Sequence, residues 1–292
     1  MKKVIVKIIM IVILCLCLII SYFIYISYYE VEVTDYEISS AKINNDANIV
    51  MIADVHDQHC KVKNQIIDRI KQLEPDIILC AGDIIDNESE SDKITIEFLS
   101  SLSEISDVYM SLGNHELEYP DSKQLIEDIK NTGIKILDKE YQDIAVNGNT
   151  IRIGGMYDYA FSQETGNIDQ KTMKSDVYSF LTEMKQTSSF QLMMAHRPDS
   201  FIFGNAYKWD FDLVVSGHYH GGQVILPYVG GLYAPELGWF PEVDYGHYKL
   251  KDMDMIVTRG ISSSNELFPR FNNPPEIVSI TLKAEKGGSY EQ

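Results

Sequence analysis

Five apolar runs in this 292-residue chain end in side chains that can bind a metal ion. They are Asp54-Val55-His56, Gly82-Asp83, Gly113-Asn114-His115, Ala195-His196 and Gly217-His218-Tyr219-His220. The donors are carboxylates, imidazoles and one amide, without a thiolate. That mixture suits Mn, Fe, Zn or Co, as divalent or trivalent ions, rather than calcium. Each block alone is a weak signal: Asp-x-His is usually a turn, a buried histidine is usually a satisfied core residue, and Asn after Gly reads first as a turn. Their joint occurrence is the signal, because five of the seven histidines, all but His59 and His247, close an apolar run. The i, i+2 spacing of Asp54/His56 and of His218/His220 predicts that each pair shares one face of an extended chain.

Residues so far apart in sequence need a common scaffold. In the first half, short apolar runs alternate with helical patterns. "NIVMIAD" is followed by "KVKNQIIDRIKQLEPD", "IILCAGDIID" by "KITIEFLSSLSEI", and "VYMSLGNHE" by "DSKQLIEDIKNTG". Alternation of this kind predicts an α/β layer fold with parallel pairing. Such sheets bind ligands beyond the carboxyl ends of their strands, where these five blocks lie. The second half is richer in strands, with one helix expected within residues 170–185. No composition break divides the chain after about residue 45. The expected organisation is an N-terminal membrane anchor over 1–29, a linker over 30–45 and one domain over 46–285. Cys80 sits inside an apolar run and reads as a small buried hydrophobe.

The order Asp54-x-His56, Gly82-Asp83-x-x-Asp86, Gly113-Asn114-His115-Glu116, His196 and Gly217-His218-x-His220 resembles the calcineurin-like metallophosphoesterases, from about Asn48 to Leu282. "MMAHRPDSF", "SGHYHGGQVILP", "GGLYAPELGWFP" and "FNNPPEIVSITL" are similar to a bacterial branch of membrane-associated phosphodiesterases, relatives of UDP-2,3-diacylglucosamine hydrolase. The resemblance implies a four-layer α/β/β/α sandwich around two metal ions. Carried over by motif, Asp54, His56 and His220 would hold one ion, and Asn114, His196 and His218 the other. Asp83 would bridge them. A water activated between the two ions would attack phosphorus, and His115, oriented by a hydrogen bond it donates to Asp86, would act at the leaving oxygen. The four acids Asp54, Asp57, Asp83 and Asp86 are expected to repel one another without cations. Asp57 and His59 are expected on a solvated loop, with the substrate mouth as the other reading. Glu116 stands where many bacterial members carry Asp, and is expected to be structural. Tyr219 should point away from the metals. The aromatic loop holding Tyr233, Trp239 and Phe240 is open to three readings: a packed loop, an acyl-chain grip or a membrane contact.

The N-terminus supplies the remaining expectation. An uncharged run from Ile8 to Tyr29 follows Lys2, Lys3 and Lys7 and ends among tyrosines. As a helix it would cover roughly 33 Å, enough for a bilayer core. Lysines before and acids after the run predict a single-pass protein with its domain outside the cytoplasm. No small-x-small cleavage site follows the run, and no twin arginine precedes it. From Glu30 onward the chain carries a net charge of −21, which argues against nucleic acid as a partner. The expected partner is a phosphoester, a diester or pyrophosphate in a lipid-linked or envelope molecule. A phosphomonoesterase and a catalytically silent metal-binding module are the alternatives. Protein phosphatases of this superfamily place Arg after the second acid, where this chain has Asn87.

Overall fold

A computed structural model describes residues 1–57, 62–262 and 269–285. The chain opens with α1 (Lys2–Tyr29), a 28-residue helix whose most apolar 18 residues have a mean hydropathy of 3.2, long enough to cross a bilayer. The stretch expected as a linker is instead structured. Residues Glu32–Ser40 form β1, paired in parallel with the last strand over nine residues. Its outward positions are polar and exposed, as an edge strand requires, which is why its pattern reads as a link.

The remaining elements follow as β2 (Ala47–Ile52), α2 (Lys63–Leu73), β3 (Ile77–Ala81), α3 (Lys93–Ser103), β4 (Asp107–Ser111), α4 (Asn114–Glu118) and α5 (Ser122–Asn131). After them come β5 (Lys135–Ile136), β6 (Glu140–Val146), β7 (Asn149–Met156), α6 (Ser175–Met184), β8 (Phe190–Ala195), α7 (Asp199–Ile202) and β9 (Leu213–Ser216). Two small hairpins, β10 (Ile225–Leu226) with β11 (Gly230–Gly231) and β12 (Tyr233–Ala234) with β13 (Gly238–Trp239), precede β14 (Gly246–Leu250), β15 (Met253–Val257) and β16 (Glu276–Ala284).

The strands form two six-stranded sheets, ordered β1-β16-β2-β3-β4-β5 and β14-β15-β9-β8-β7-β6. Their central strands are parallel, so their carboxyl ends share one edge. Side-chain alternation builds the layers. Ile49 and Met51 of β2 and Leu192 and Met194 of β8 fill the space between the sheets. Val50 and Ile52 face the other way, onto α2, α3 and α5. Met193 and Ala195 face α6. The result is the expected α/β/β/α sandwich, with Cys80 fully buried among the helix-facing residues.

The turns after β3 and β4 hang on one side chain. Glu116, fully buried on α4, accepts hydrogen bonds from Asp83 N (2.9 Å), Ile84 N (2.7 Å), Ile85 N (3.3 Å) and Gly113 N (2.8 Å). A carboxylate three residues into a helix commonly reaches back to the first free N–H. Here it also gathers three donors from a neighbouring turn. Replacing Glu116 with Gln turns an –NH2 toward some of those N–H groups. The expected cost is about 2–3 kcal/mol, a fall of roughly 5–10 °C in thermal midpoint for a domain of this size. Calorimetry of the two proteins checks this; a shift under about 1 °C would show that the turns hold without the carboxylate.

Candidate metal centre

At the shared edge the chain turns through left-handed residues. Asp54 (φ 53°), His56 (43°), Asp83 (54°), His218 (71°) and His220 (47°) all lie there. L-residues avoid this region, and Asp and His are among the types that tolerate it best. The extended alternation expected for Asp54/His56 and His218/His220 is therefore not what places them. Sharp turns do, and His220 opens a single 3-10 turn with Gly221 and Gly222. Two glycines make room. A Cβ on Gly113 would lie 2.1 Å from Asp83 Oδ1, and one on Gly217 would lie 2.6 Å from Asp54 Oδ2.

These turns assemble two adjacent groups. Ligand atoms of Asp54, His56 and His220 lie within 4.8 Å of one another, and so do those of Asp83, His196 and His218. His196 Nε2 lies 3.1 Å from Asp83 Oδ2 and 4.0 Å from Asp54 Oδ1, so the groups are side by side. His115 belongs to a third group with His56 and Asp86, its ring centroid 4.4 Å from that of His56. Asn114 begins α4, with its Oδ1 buried.

Backbone groups decide which ring nitrogen faces the site. A carbonyl can only accept, so His196 Nδ1–H donates to Ala81 O (2.8 Å) and His220 Nδ1–H donates to Ser262 O (3.0 Å). Both histidines then turn Nε2 toward the site, where it offers a lone pair once it carries no proton. An N–H can only donate, so His115 Nδ1 accepts from Asn87 N (2.9 Å), and the neutral ring carries its proton on Nε2. Burial holds His56 well below the ordinary imidazole range and His220 at about 4, so both are neutral at pH 7. Burial also disfavours the charged form of His196, but the Asp83 carboxylate more than offsets it and lifts His196 to about 9. Burial opposes ionisation of Asp83, yet His196 beside it holds the carboxyl well below its usual range.

The donor set fits two cations. Both ring nitrogens of His56 and Asn114 Oδ1 are buried and have no hydrogen-bond partner among the described residues. Such groups cost about 1–3 kcal/mol each when left unpaired. A cation would satisfy Asn114 Oδ1 and the lone-pair nitrogen of His56, and no thiolate among the described residues competes.

Two expectations need correction. Asp86 does not bond to His115, because its Oδ1 is 3.8 Å from Nδ1, and the Asn87 N–H takes that place. Asp86 Oδ1 accepts instead from Glu88 N at 3.0 Å. Asp57 is buried rather than solvated: its Oδ1 accepts from Ser89 Oγ (2.5 Å) and Asp86 N (3.2 Å), tying the first loop to the second. His59 lies outside the described residues. Backbone donors also relieve the repulsion expected among the four acids, since Asp54 accepts from His218 N and Asp83 from His115 N. Tyr219 is fully buried in the α6-side core.

Sequence reasoning missed three residues. Glu236, in the β12–β13 turn, lies 3.1 Å from both His218 Nε2 and Arg197 Nη2. Arg197, next to the ligand-type His196, also contacts Asp199 at 3.0 Å and Tyr159 OH. Arg270 is fully buried and donates to the carbonyls of Arg259, Ser262, Gly260 and Asn273, which shapes the loop behind His220. Its signal was an arginine in an otherwise apolar, proline-rich segment.

Comparison with known proteins agrees with this edge. The chain is 28% identical over 260 residues to the metallophosphoesterase Cj0846 of Campylobacter jejuni, covering 88% of this chain but 64% of that relative. It is 26% identical to the metallophosphoesterase YkuE of Bacillus subtilis, covering 89% and 88%, and 27% identical to the phosphodiesterase YaeI of Escherichia coli, covering 80% and 81%. Among solved structures, a dimetal phosphatase from Danio rerio aligns with a TM-score of 0.43 at 13% identity, over 73% of this chain and 87% of that one. Residues 47–222, which hold every ligand-type residue of the two groups, match the calcineurin-like phosphoesterase family, and the chain belongs to it.

Proposed function

We propose that the protein is a membrane-anchored, metal-dependent phosphodiesterase acting on a lipid-linked or cell-envelope phosphodiester or pyrophosphate. The observation that carries this reading is the pair of adjacent groups, Asp54/His56/His220 and Asp83/His196/His218, with His115 at their rim. Asn114 would join the second group and Asp83 would face both. Two metal ions held there supply Lewis-acid polarisation of the phosphoryl group and activation of a water. The chain's own residues do the rest. Backbone carbonyls aim His196 and His220 at the ions, and burial keeps His56 and His220 deprotonated. His115 holds a proton on Nε2, fixed by the Asn87 N–H behind it, and can deliver that proton to a departing alkoxide. The phosphodiesterase among the relatives supports a diester. The length and hydropathy of α1 support the anchor, and the lysines ahead of it support a domain outside the cytoplasm.

Three outcomes are expected of the full chain in detergent. With Mn2+ it should hydrolyse bis(p-nitrophenyl) phosphate faster than p-nitrophenyl phosphate, and Asp83→Asn should lower kcat/KM at least about 10³-fold. Activity within tenfold of wild type would remove the two-metal reading, and monoester preference would remove the diesterase one. His115→Gln should cost about 10²–10⁴-fold with an alkyl leaving group and much less with p-nitrophenolate, which leaves without a proton. Equal losses on both substrates would show that His115 is not the acid. Finally, because His196 sits at about 9, metal binding at pH 7 must displace its proton. Apparent Mn2+ affinity should rise with pH up to about 9 and then level, with proton release seen in weak buffer. A release unchanged in His196→Ala would place the proton elsewhere.

A further inference from the structure

The two hairpins between the 3-10 turn and β14 present the most exposed large apolar side chains described outside α1. Tyr228 is 109% exposed, Val229 61%, Trp239 57% and Phe240 56%. Single exposed hydrophobes are ordinary, but a contiguous set marks a contact surface. Tyr228 and Val229 cap the turn between β10 and β11. Trp239 ends β13, with its ring against Tyr233, and Phe240 follows it.

The hairpins connect, step by step, to the end of α1. Phe240 N donates to Leu232 O (2.9 Å), and Leu232 N donates to Val224 O (2.9 Å). Val224 bridges Phe271, whose ring packs edge-on against Phe23 of α1 at 5.4 Å. Three backbone steps at about 4.8 Å place Phe240 some 14 Å from Phe271. The helix end itself is fastened: Asn273 N donates to Ser27 Oγ (3.0 Å), Asn272 N donates to Phe23 O (3.3 Å), and Arg259 pairs with Glu32 at 2.8 Å. A bilayer core takes about 20 helical residues. Counted from Ile8, where the uncharged run begins, that reaches about Ser27. Phe23 and Phe271 therefore lie at the edge of the hydrocarbon core, and the hairpins lie within about 14 Å of that edge.

The charge pattern names the kind of contact. No Lys or Arg occurs between Gly221 and Gly246. Of the three acids there, Glu236 turns inward to Arg197 and His218, and Asp244 bonds to Gly231 N and Tyr248 OH. Glu242 stays exposed. Attraction to anionic lipid is excluded, and apolar insertion with interfacial aromatics is what this surface can do.

We propose that Tyr228, Val229, Trp239 and Phe240 form a second membrane contact, inserted into the headgroup layer of the leaflet from which α1 emerges. The contact rests on the anchor reading of α1. Glu236 beside His218 and Trp239 on the outside are three residues apart, at most about 10 Å of chain. The metal centre thus opens beside the bilayer surface, and the substrate class that fits is a lipid whose scissile phosphoester sits at headgroup depth.

The chain holds two tryptophans, and Trp209 is buried in the core, so Trp239 reports its own surroundings. The full chain would be reconstituted in phosphatidylcholine vesicles with or without bromine on the acyl chains. Brominated lipid should quench the Trp239 share of the emission, Trp239→Phe should abolish the quenching, and Tyr228→Ser with Val229→Ser should at least halve it. Quenching should not change between about 0.1 and 1 M salt, since no cation takes part. Hydrolysis of soluble bis(p-nitrophenyl) phosphate should be unchanged in these variants, which shows them folded. Vesicle flotation and alkaline extraction read α1 separately. A chain that floats and resists extraction with Trp239 unquenched overturns the second contact alone. A chain stripped by alkali overturns the anchor reading and the contact with it. Quenching lost at high salt overturns the apolar mode.

Discussion

Four backbone N–H groups converging on the buried carboxylate of Glu116 set the shape of the metal-side edge. Asp83 must leave β3 in a left-handed conformation for its side chain to face His196, and nothing in a parallel sheet favours that turn. Three consecutive donors, from Asp83, Ile84 and Ile85, find their acceptor in Glu116, and Gly113 binds the same carboxylate from the turn after β4. The two strand ends are thereby locked to each other. With Asp83 placed, its Oδ1 takes the N–H of His115, which starts α4 and aims His115 across the site. Glu116 is fully buried, yet the positions of Asp83, Asn114 and His115 all follow from it.

The same economy governs proton positions. Histidine ligands are useful only if the correct nitrogen carries the lone pair. Here main-chain atoms make that choice, and main-chain atoms cannot change their donor or acceptor character. Carbonyls behind His196 and His220 make their outer nitrogens donors, so the inner ones are turned to the candidate metal site. An N–H behind His115 does the reverse and makes its inner nitrogen the donor. Two opposite proton placements are thus written into one edge by the orientation of peptide groups. The carbonyl that fixes His196 belongs to Ala81 of the other sheet, so the bond also pins the sheets together where the site requires it.

Much of this was legible in the sequence, because burial and ligand chemistry leave strong local marks. Runs such as Ile49–Ile52 and Leu192–Ala195 are apolar on both faces, which only a covered strand tolerates. Asp, Asn and His at the ends of such runs have few structural reasons to be there. What stayed hidden depended on partners distant in sequence. β1 looks like a linker because only its pairing with β16 makes it a strand. Asp86 was given His115 by motif, but the contest between its carboxylate and the Asn87 N–H is settled by angstroms. Asp57 reads as a solvated acid until Ser89 is seen to cover it. Glu236 and Arg270 come from loops whose shape has no periodicity, so no pattern could place them.

Arg270 shows how far the site extends. Its guanidinium gathers the carbonyls of Arg259, Gly260 and Ser262, in the loop that hands Ser262 O to His220, and binds Asn273 Oδ1. Asn273 in turn donates to His220 O and, through its backbone, to Ser27 Oγ near the end of α1. One buried arginine therefore stands between the first helix of the chain and the last histidine of the metal groups. A movement of α1 relative to the domain would have to break bonds to Ser27 and Phe23 O before it could leave His220 undisturbed. Buried polar networks of this kind are costly when half satisfied, so they tend to hold or to fail as a unit. The orientation of the helix and the geometry of the ligand set are for that reason one structural quantity, not two.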